Sequence, residues 1–425
     1  MEDKAVICID SWTAGAHHFE RLVTALKKKG YRLLLIHIGS WGHDKNRPDE
    51  ELIGDLLVRD IAYYKNKALD EILEQENPAA VIFLSTRAFA HMTFNRYAQD
   101  AHVPTCHLYH GLVNVQAVNS GQRSYKINLQ AHIKAFMDRA WKNVGHLIPQ
   151  YVRSLAGTKA PKKAWFDLFY FTYRKALGLG LARPLLDAKT TCGCVYTRAD
   201  IDHMARNYGL LESDIKVVGN PDLVKFGIKV SDRGVALSNM DFNSREIIYI
   251  DTALSKSGYV FDSDDDFVQH LLKTKSDLEK QNFQFAVKLH PAHLKSGDVP
   301  SQLERFGITL YSNANFLQRL KCSAAVIVEP SSAAMIPAIL GLPLLLANYG
   351  KLKGQLYGKI LTDYPRAIRL DSVAQVSNNL ASERSSFSAD QVEFWIDNNI
   401  GPLPAEDMPA RVAEVVDKMI RGVST

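Results

Sequence analysis

The chain has 425 residues, of which 46% are hydrophobic and 23% charged. That apolar content fills two sizeable cores and excludes a fibrous or disordered protein. The 51 basic and 46 acidic residues leave a net charge of +5, too even for the concentrated basic face of a nucleic-acid binder, yet compatible with an anionic small substrate or a membrane surface.

No uninterrupted apolar stretch approaches the roughly 18 residues of a membrane span. The opening MEDKAVICID is acidic and then strand-like, unlike a secretory signal, so a cytoplasmic protein is expected. The cysteines, Cys8, Cys106, Cys192, Cys194 and Cys322, are odd in number and scattered, which argues against a disulfide framework. Cys192 and Cys194 form a CxC with no second Cys/His pair nearby; they read as small residues entering a strand, not as zinc ligands.

In chain order, AVICID is an apolar strand, HHFERLVTALKKKG an amphipathic helix closed by Gly30, and YRLLLIHIG the next strand. A charged stretch with a helical pattern follows, then the strands AAVIFLS and VPTCHLYHG. This alternation predicts a doubly wound parallel sheet with ligands at the carboxyl ends of its strands. From about 113 to 190 the texture becomes helical and basic. Within it, KKAWFDLFYFTYRKALGLGLARPLL carries Trp165, Phe166, Phe169, Tyr170, Phe171 and Tyr173 between cations. The expectation is an aromatic stripe packed between lobes; the alternative is an interfacial helix on anionic lipid.

Residues 192 to 221 read strand, helix, Gly209, then a short strand ending in Gly219, Asn220 and Pro221, a turn able to reorient the chain between lobes. From 245 the alternation resumes with REIIYID, a helix near 264 to 281, FQFAVKLHP, GITLYS, SAAVIVEPSS, a helix from Ser332, and LPLLLAN. The predicted fold is α/β, with two Rossmann-like domains facing across a cleft and a helical middle insertion. The expected bounds are 1–190 for an acceptor domain, 191–400 for a donor-binding domain, and 401–425 for a terminal helix that packs back on the first.

FAVKLHPAHL runs a buried strand straight into Lys288, His290 and Pro291, none of which a core strand needs. AVIVEPSSAAM does the same with Glu329, Ser331 and Ser332, then starts a helix of small and apolar residues. A hydroxyl at a helix N-terminus caps it and, with the free N–H groups, attracts phosphate. His290 lies one helix and one strand before the serines, so both strand ends can open on the same sheet edge. A histidine donating to a phosphate oxygen would then face the helix start across a nucleotide's phosphate.

The pair KLHP and EPSS resembles the His-Pro and Ser-Ser motifs of bacterial GT-B glycosyltransferases that use CMP-activated acidic sugars, including sialyltransferases, polysialyltransferases and retaining β-Kdo transferases. KVVGNP and PAILGLPLLLANYG extend the likeness through the C-terminal half. Related pairs occur in polyol-phosphate transferases using CDP-glycerol. The resemblance implies that Lys288, His290, Pro291, Ser331 and Ser332 bind the donor nucleotide and that Glu329 approaches the ribose or cytosine. It also implies no cofactor and no metal, because protein donors neutralise the leaving phosphate.

Asp251 ends REIIYID, the first strand of the second half. A carboxylate there serves either as general base in an inverting transfer or as nucleophile in a retaining one; the β-Kdo likeness favours the retaining route. A plain cap of the following turn is the structural alternative. For the acceptor, Gly15, His17 and His18 follow the first strand, and His110 with Gly111 ends another. No P-loop, GxGxxG or Ser-His-Asp spacing supports an NTPase, dehydrogenase or hydrolase.

The expected function is transfer of a Kdo-like or sialic-acid-like residue from its CMP-linked donor to a glycan or lipid-linked glycan of a bacterial surface, in lipopolysaccharide or capsule assembly. The expected place is the cytoplasm, with peripheral contact at the inner membrane, and no nucleic-acid partner. Alternatives are an inverting sialyltransferase-like enzyme, a CDP-glycerol-type polyol-phosphate transferase, a UDP-sugar 2-epimerase and a non-catalytic glycan-binding scaffold.

Overall fold

The computed structural model describes residues 4–10, 15–41, 48–65, 67–111, 145–155, 161–176, 183–238, 244–257, 260–295 and 298–422. Much of the expected helical middle, 112–144 among it, lies outside the described residues. The first sheet is built from β1 (Lys4–Asp10), β2 (Tyr31–His37), β3 (Glu50–Ile53), β4 (Leu56–Asp60), β5 (Ala80–Phe83), β6 (Thr105–Leu108), β7 (Cys192–Val195) and β8 (Ile215–Val217). Its spatial order is β3-β4-β2-β1-β5-β6-β7-β8. The second comprises β9 (Glu246–Ile250), β10 (Gln284–Lys288), β11 (Thr309–Leu310), β12 (Ala325–Val328), β13 (Leu344–Ala347) and β14 (Ala367–Leu370), in the order β11-β10-β9-β12-β13-β14. All described pairs are parallel except the β3/β4 hairpin.

The continuous apolar runs follow from this parallel architecture, because helices cover both faces and most positions of the central strands are buried. In β1, Val6 and Cys8 join one core while Ile7 and Ile9 join the core on the opposite face. In β9, Ile248 and Ile250 pack on one side and Ile247 and Tyr249 on the other. The Asp264–Glu279 helix between β9 and β10 starts at Ser263, whose hydroxyl accepts from the Asp266 amide at 3.2 Å, with three aspartates in its first turn. Both features favour the positive end of the helix dipole.

The domain boundary differs from the expected 190/191. Cys192 pairs with Cys106 of β6, and Ile215 pairs with Gly193 of β7, so the first domain continues to β8 and the crossover falls at Gly219–Pro221. CGCV is short and apolar on both faces, and nothing in its residue pattern says which sheet it extends. The charged stretch also differs: residues 50–60 form the β3/β4 hairpin across Gly54 and Asp55, and the helix is confined to Leu69–Glu76.

The chain crosses between the sheets twice, and the crossings touch. Gly219 (φ +97°) and Gly401 (φ +84°) pack backbone to backbone. A Cβ on Gly401 would lie 2.2 Å from the Tyr196 carbonyl oxygen, and one on Gly219 2.8 Å from that of Pro402. Arg411 ties the crossings together, donating through Nη1 to the carbonyls of Val218 (3.0 Å) and Pro402 (3.2 Å). The terminal helix Met408–Ile420 then lies on the first domain, placing Met408, Val412, Val416 and Met419 in its core. The Tyr31 hydroxyl donates to Asp417 at 2.8 Å.

The aromatic segment forms the helix Pro161–Ala176. The expectation of a fully packed stripe is not met. Phe171 is buried, but Trp165, Phe166, Phe169 and Tyr173 are exposed. Among the described residues no helix is long and apolar enough to cross a membrane.

Candidate functional site

In the second sheet the chain proceeds from β9 to β10 and β11 on one side, then returns to β12 on the other. The loops after β10 and β12 therefore diverge and leave a crevice over the carboxyl end of β9, the position at which open α/β sheets bind ligands. His290 stands in the loop after β10 and Ser331 with Ser332 in the loop after β12. The two loops are separated by two strand spacings, roughly 10 Å.

Each side of the crevice is shaped by a local cap. His290 is exposed and occupies the N-cap position of a short helical turn, Pro291–Leu294. Its Nδ1 accepts from the Ala292 amide at 3.2 Å. With Nδ1 so engaged, the neutral ring carries its proton on Nε2, the nitrogen on the far side from that bond. Partial burial of its ring pulls its pKa below the ordinary histidine value. Pro291 is exposed at the first position of the turn, where a missing N–H costs nothing. Across the crevice Ser331 caps the Ser332–Ala334 turn, its Oγ accepting from the Ala333 amide at 3.1 Å, while Ser332 is exposed. Glu329, by contrast, is fully buried.

Two buried carboxylates hold these loops to the end of β9. Asp251 accepts from the Ala253 amide at 2.6 Å, the His290 amide at 2.8 Å and His293 Nδ1 at 2.5 Å. Glu329 accepts from the Tyr249 hydroxyl at 2.5 Å and the Thr252 amide at 2.9 Å, and pairs with the Thr252 hydroxyl. Burial, reinforced by the charge of Asp251, pushes Glu329 up to about 7. Between them Ala253 takes a left-handed conformation at φ +58°, a strain that the surrounding bonds overcome.

This geometry corrects three expectations. The side chain of Asp251 has no exposed surface and both its oxygens are engaged, so it holds the turn and the His290 loop instead of meeting an anomeric carbon. Glu329 is likewise enclosed, so it meets neither ribose nor base. Lys288 also departs from its expected place: it is buried, donates to the Leu289 carbonyl at 3.2 Å and lies 6.0 Å from the Phe316 ring centre. Burial lowers its pKa. His293, which the sequence reading passed over, is fully buried and links Asp251 to Ser255 at 2.6 Å, with Ser255 donating to Asp264 at 2.9 Å. Its signal was the spacing to His290, three residues apart on one helical turn.

In the first domain the order of strands also reverses beside β1, with β2 on one side and β5 on the other. His17, His18 and His110 come together near that edge: the rings of His17 and His18 are 3.9 Å apart and those of His18 and His110 5.9 Å. Burial, with the neighbouring His17, Arg21 and His110, pulls His18 down to about 3, opposed by Asp222 of the crossover. His110 bonds the Leu84 carbonyl through Nδ1 at 3.0 Å. Gly15 has φ −81°, open to any residue, and a side chain at Gly111 would meet nothing within 4 Å; neither glycine is required by the backbone.

No known family matches the sequence, and no curated protein does. Among solved structures, a variant of the wall teichoic acid polymerase TagF is 13% identical, with the match covering 99% of this chain and 90% of that one at a TM-score of 0.50. The complex of S. aureus MnaA with UDP is 12% identical over 99% and 98% of the chains, at 0.47. A UDP-GlcNAc 2-epimerase of Methanocaldococcus jannaschii, bound to UDP-GlcNAc and UDP, is 11% identical over 97% and 98%, at 0.42. The likeness to the polymerase is one of fold, and the two parallel sheets of this chain have the expected GT-B architecture.

Proposed function

We propose that this chain is a transferase acting on a cytidine-nucleotide donor, with the donor phosphate in the crevice over β9 and the acceptor in the first domain. The observation that carries this reading is the pairing of an exposed His290, whose Nδ1 is held by its own turn, with the Ser331 and Ser332 turn across the switch point of the sheet. In this reading Nε2–H and the serine side donate to the phosphate oxygens as negative charge builds on them. Protein donors do this work and no metal is invoked.

A CDP-linked polyol phosphate suits the site better than a CMP-linked sugar passing through a covalent intermediate. Formation of a glycosyl-enzyme requires an exposed carboxylate, and Asp251 is enclosed. Attack at phosphorus requires none: the acceptor hydroxyl gives its proton to a base of the first domain's histidine group as its oxygen bonds the outer phosphorus, the bond from that phosphorus to the bridging oxygen breaks, CMP departs with that oxygen, and the product keeps one phosphate. The likeness of fold to a wall teichoic acid polymerase agrees with this reading. A bacterial surface polymer is the acceptor class that both motif resemblances share.

The motifs KLHP and EPSS sustain a second reading, transfer of a Kdo-like or sialic-acid-like residue from CMP. With Asp251 buried, that reaction would proceed by inversion, with a base from the histidine group of the first domain. Calorimetric titration with CMP, CDP, UDP and UMP, followed by phosphate analysis of the product, separates these readings. Preference for cytidine nucleotides and a phosphate in the product are expected. Preference for UDP would overturn the proposal in favour of an epimerase, and a phosphate-free glycoside would select the second reading.

A further inference from the structure

The Pro161–Ala176 helix has two distinct faces. Ala164, Asp167 and Phe171 are buried. Asp167 accepts from Arg183 Nη2 at 2.5 Å and from the Leu186 amide at 2.8 Å, and Phe171 packs edge-on against Phe89 at 5.3 Å. This side is anchored to the first domain. The opposite side presents Lys162, Phe166, Phe169 and Tyr173, whose spacings of four, three and four residues bring them onto one stripe. Phe166 is 64% exposed and Phe169 79%, so among the described residues most of their apolar surface is left uncovered.

We propose that this outer face docks on an anionic lipid bilayer, with Phe166 and Phe169 entering the headgroup region and Lys162 and Lys163 meeting lipid phosphates. Charge complementarity selects that occupant. Asp167 is the one acidic residue between 161 and 176, and it points inward. The exposed side therefore carries aromatics and cations without a carboxylate, the composition of an interfacial helix. A second copy of the chain would oppose the same lysines to each other. Arg183 braces the surface from beneath, stacked 4.5 Å from the Tyr170 ring centre and 5.3 Å from that of Phe166.

The test is flotation of the full chain with vesicles of mixed phosphatidylglycerol and phosphatidylcholine, and with phosphatidylcholine alone. No donor is needed, so the outcome is independent of the transfer reading. The wild type should float with the anionic vesicles and be released by salt. Phe166→Ser with Phe169→Ser should weaken partitioning at least roughly tenfold, with melting temperature unchanged. Lys162→Glu with Lys163→Glu should do the same through charge, roughly tenfold or more. Failure of the wild type to float, or equal partitioning of the serine variant, would overturn the proposal. Should the serine variant not fold, quenching of wild-type fluorescence by brominated lipid decides: loss of that quenching in Trp165→Phe supports docking, and absence of quenching in the wild type defeats it. A dimer in sedimentation that the serine pair abolishes, without vesicle binding, would assign the face to a second copy instead.

Discussion

Two carboxylates one strand apart illustrate how burial separates residues that look alike in sequence. Asp251 engages three donors and Glu329 engages Tyr249 and Thr252. Asp251→Ala leaves three donors unmatched, those of Ala253 and His293 in buried bonds, which should cost about 3 to 5 kcal/mol. Thermal unfolding should show this as a large fall in melting temperature; a catalytic nucleophile would instead give an inactive variant of unchanged stability. Glu329 makes a pH prediction. Its folded pKa of about 7 lies above the unfolded carboxyl value, so between roughly pH 4.5 and 7 the folded state holds the extra proton and stability falls as pH rises. Relative to Glu329→Gln, denaturant titrations should show the wild type losing roughly 3 kcal/mol across that window and little above it. A flat difference would mean that the carboxyl ionises normally. For His290→Ala, loss of a hydrogen bond to a charged phosphate, worth about 1.5 to 3 kcal/mol, should weaken nucleotide binding roughly 10- to 150-fold with the fold intact. Unchanged affinity in calorimetry would remove the histidine from the site.

The short helix after β12 shows what an element can and cannot announce. Ser331 as cap, small residues next, Pro337 within the first turns and Gly341 at the end are readable as a helix start and stop. Pro337 is tolerated there because amides of the first turn lack intrahelical partners in any case. Ser331→Ala removes the cap and should cost about 1 kcal/mol of stability, while Ser332→Ala, with an exposed side chain, should leave melting unchanged and reduce nucleotide affinity. Equal effects of the two variants on melting would contradict this division. The β3/β4 hairpin was harder to read: its residues are charged, its outer strand exposes Leu52, and only the Gly54–Asp55 turn signals it. The aromatic helix was legible as a helix, but not which of its faces would be covered. That depends on Asp167 finding Arg183 and the Leu186 amide, partners beyond the helix itself.

At the scale of the molecule, the two glycines at the crossings decide how the sheets are joined. Gly401→Ala would place a methyl against the Tyr196 carbonyl at a backbone angle that L-residues disfavour. It should lower stability by more than about 1 kcal/mol and shift the relation between the sheets, measurable as a change in small-angle scattering. An unaltered melt and scattering profile would show that the crossing has room to spare. Sequence alone determined that two parallel α/β sheets exist, because only strands buried on both faces are continuously apolar, and it singled out His290, Ser331 and Ser332 as candidates, because a buried apolar strand does not itself call for polar residues at its end. Tertiary structure decided what periodicity does not encode: that CGCV extends the first sheet, since an apolar strand fits either sheet equally well; and that Asp251 is an anchor, since a carboxylate's chemistry depends on whether its oxygens meet solvent or are claimed by amides and a histidine that only the folded chain brings within reach.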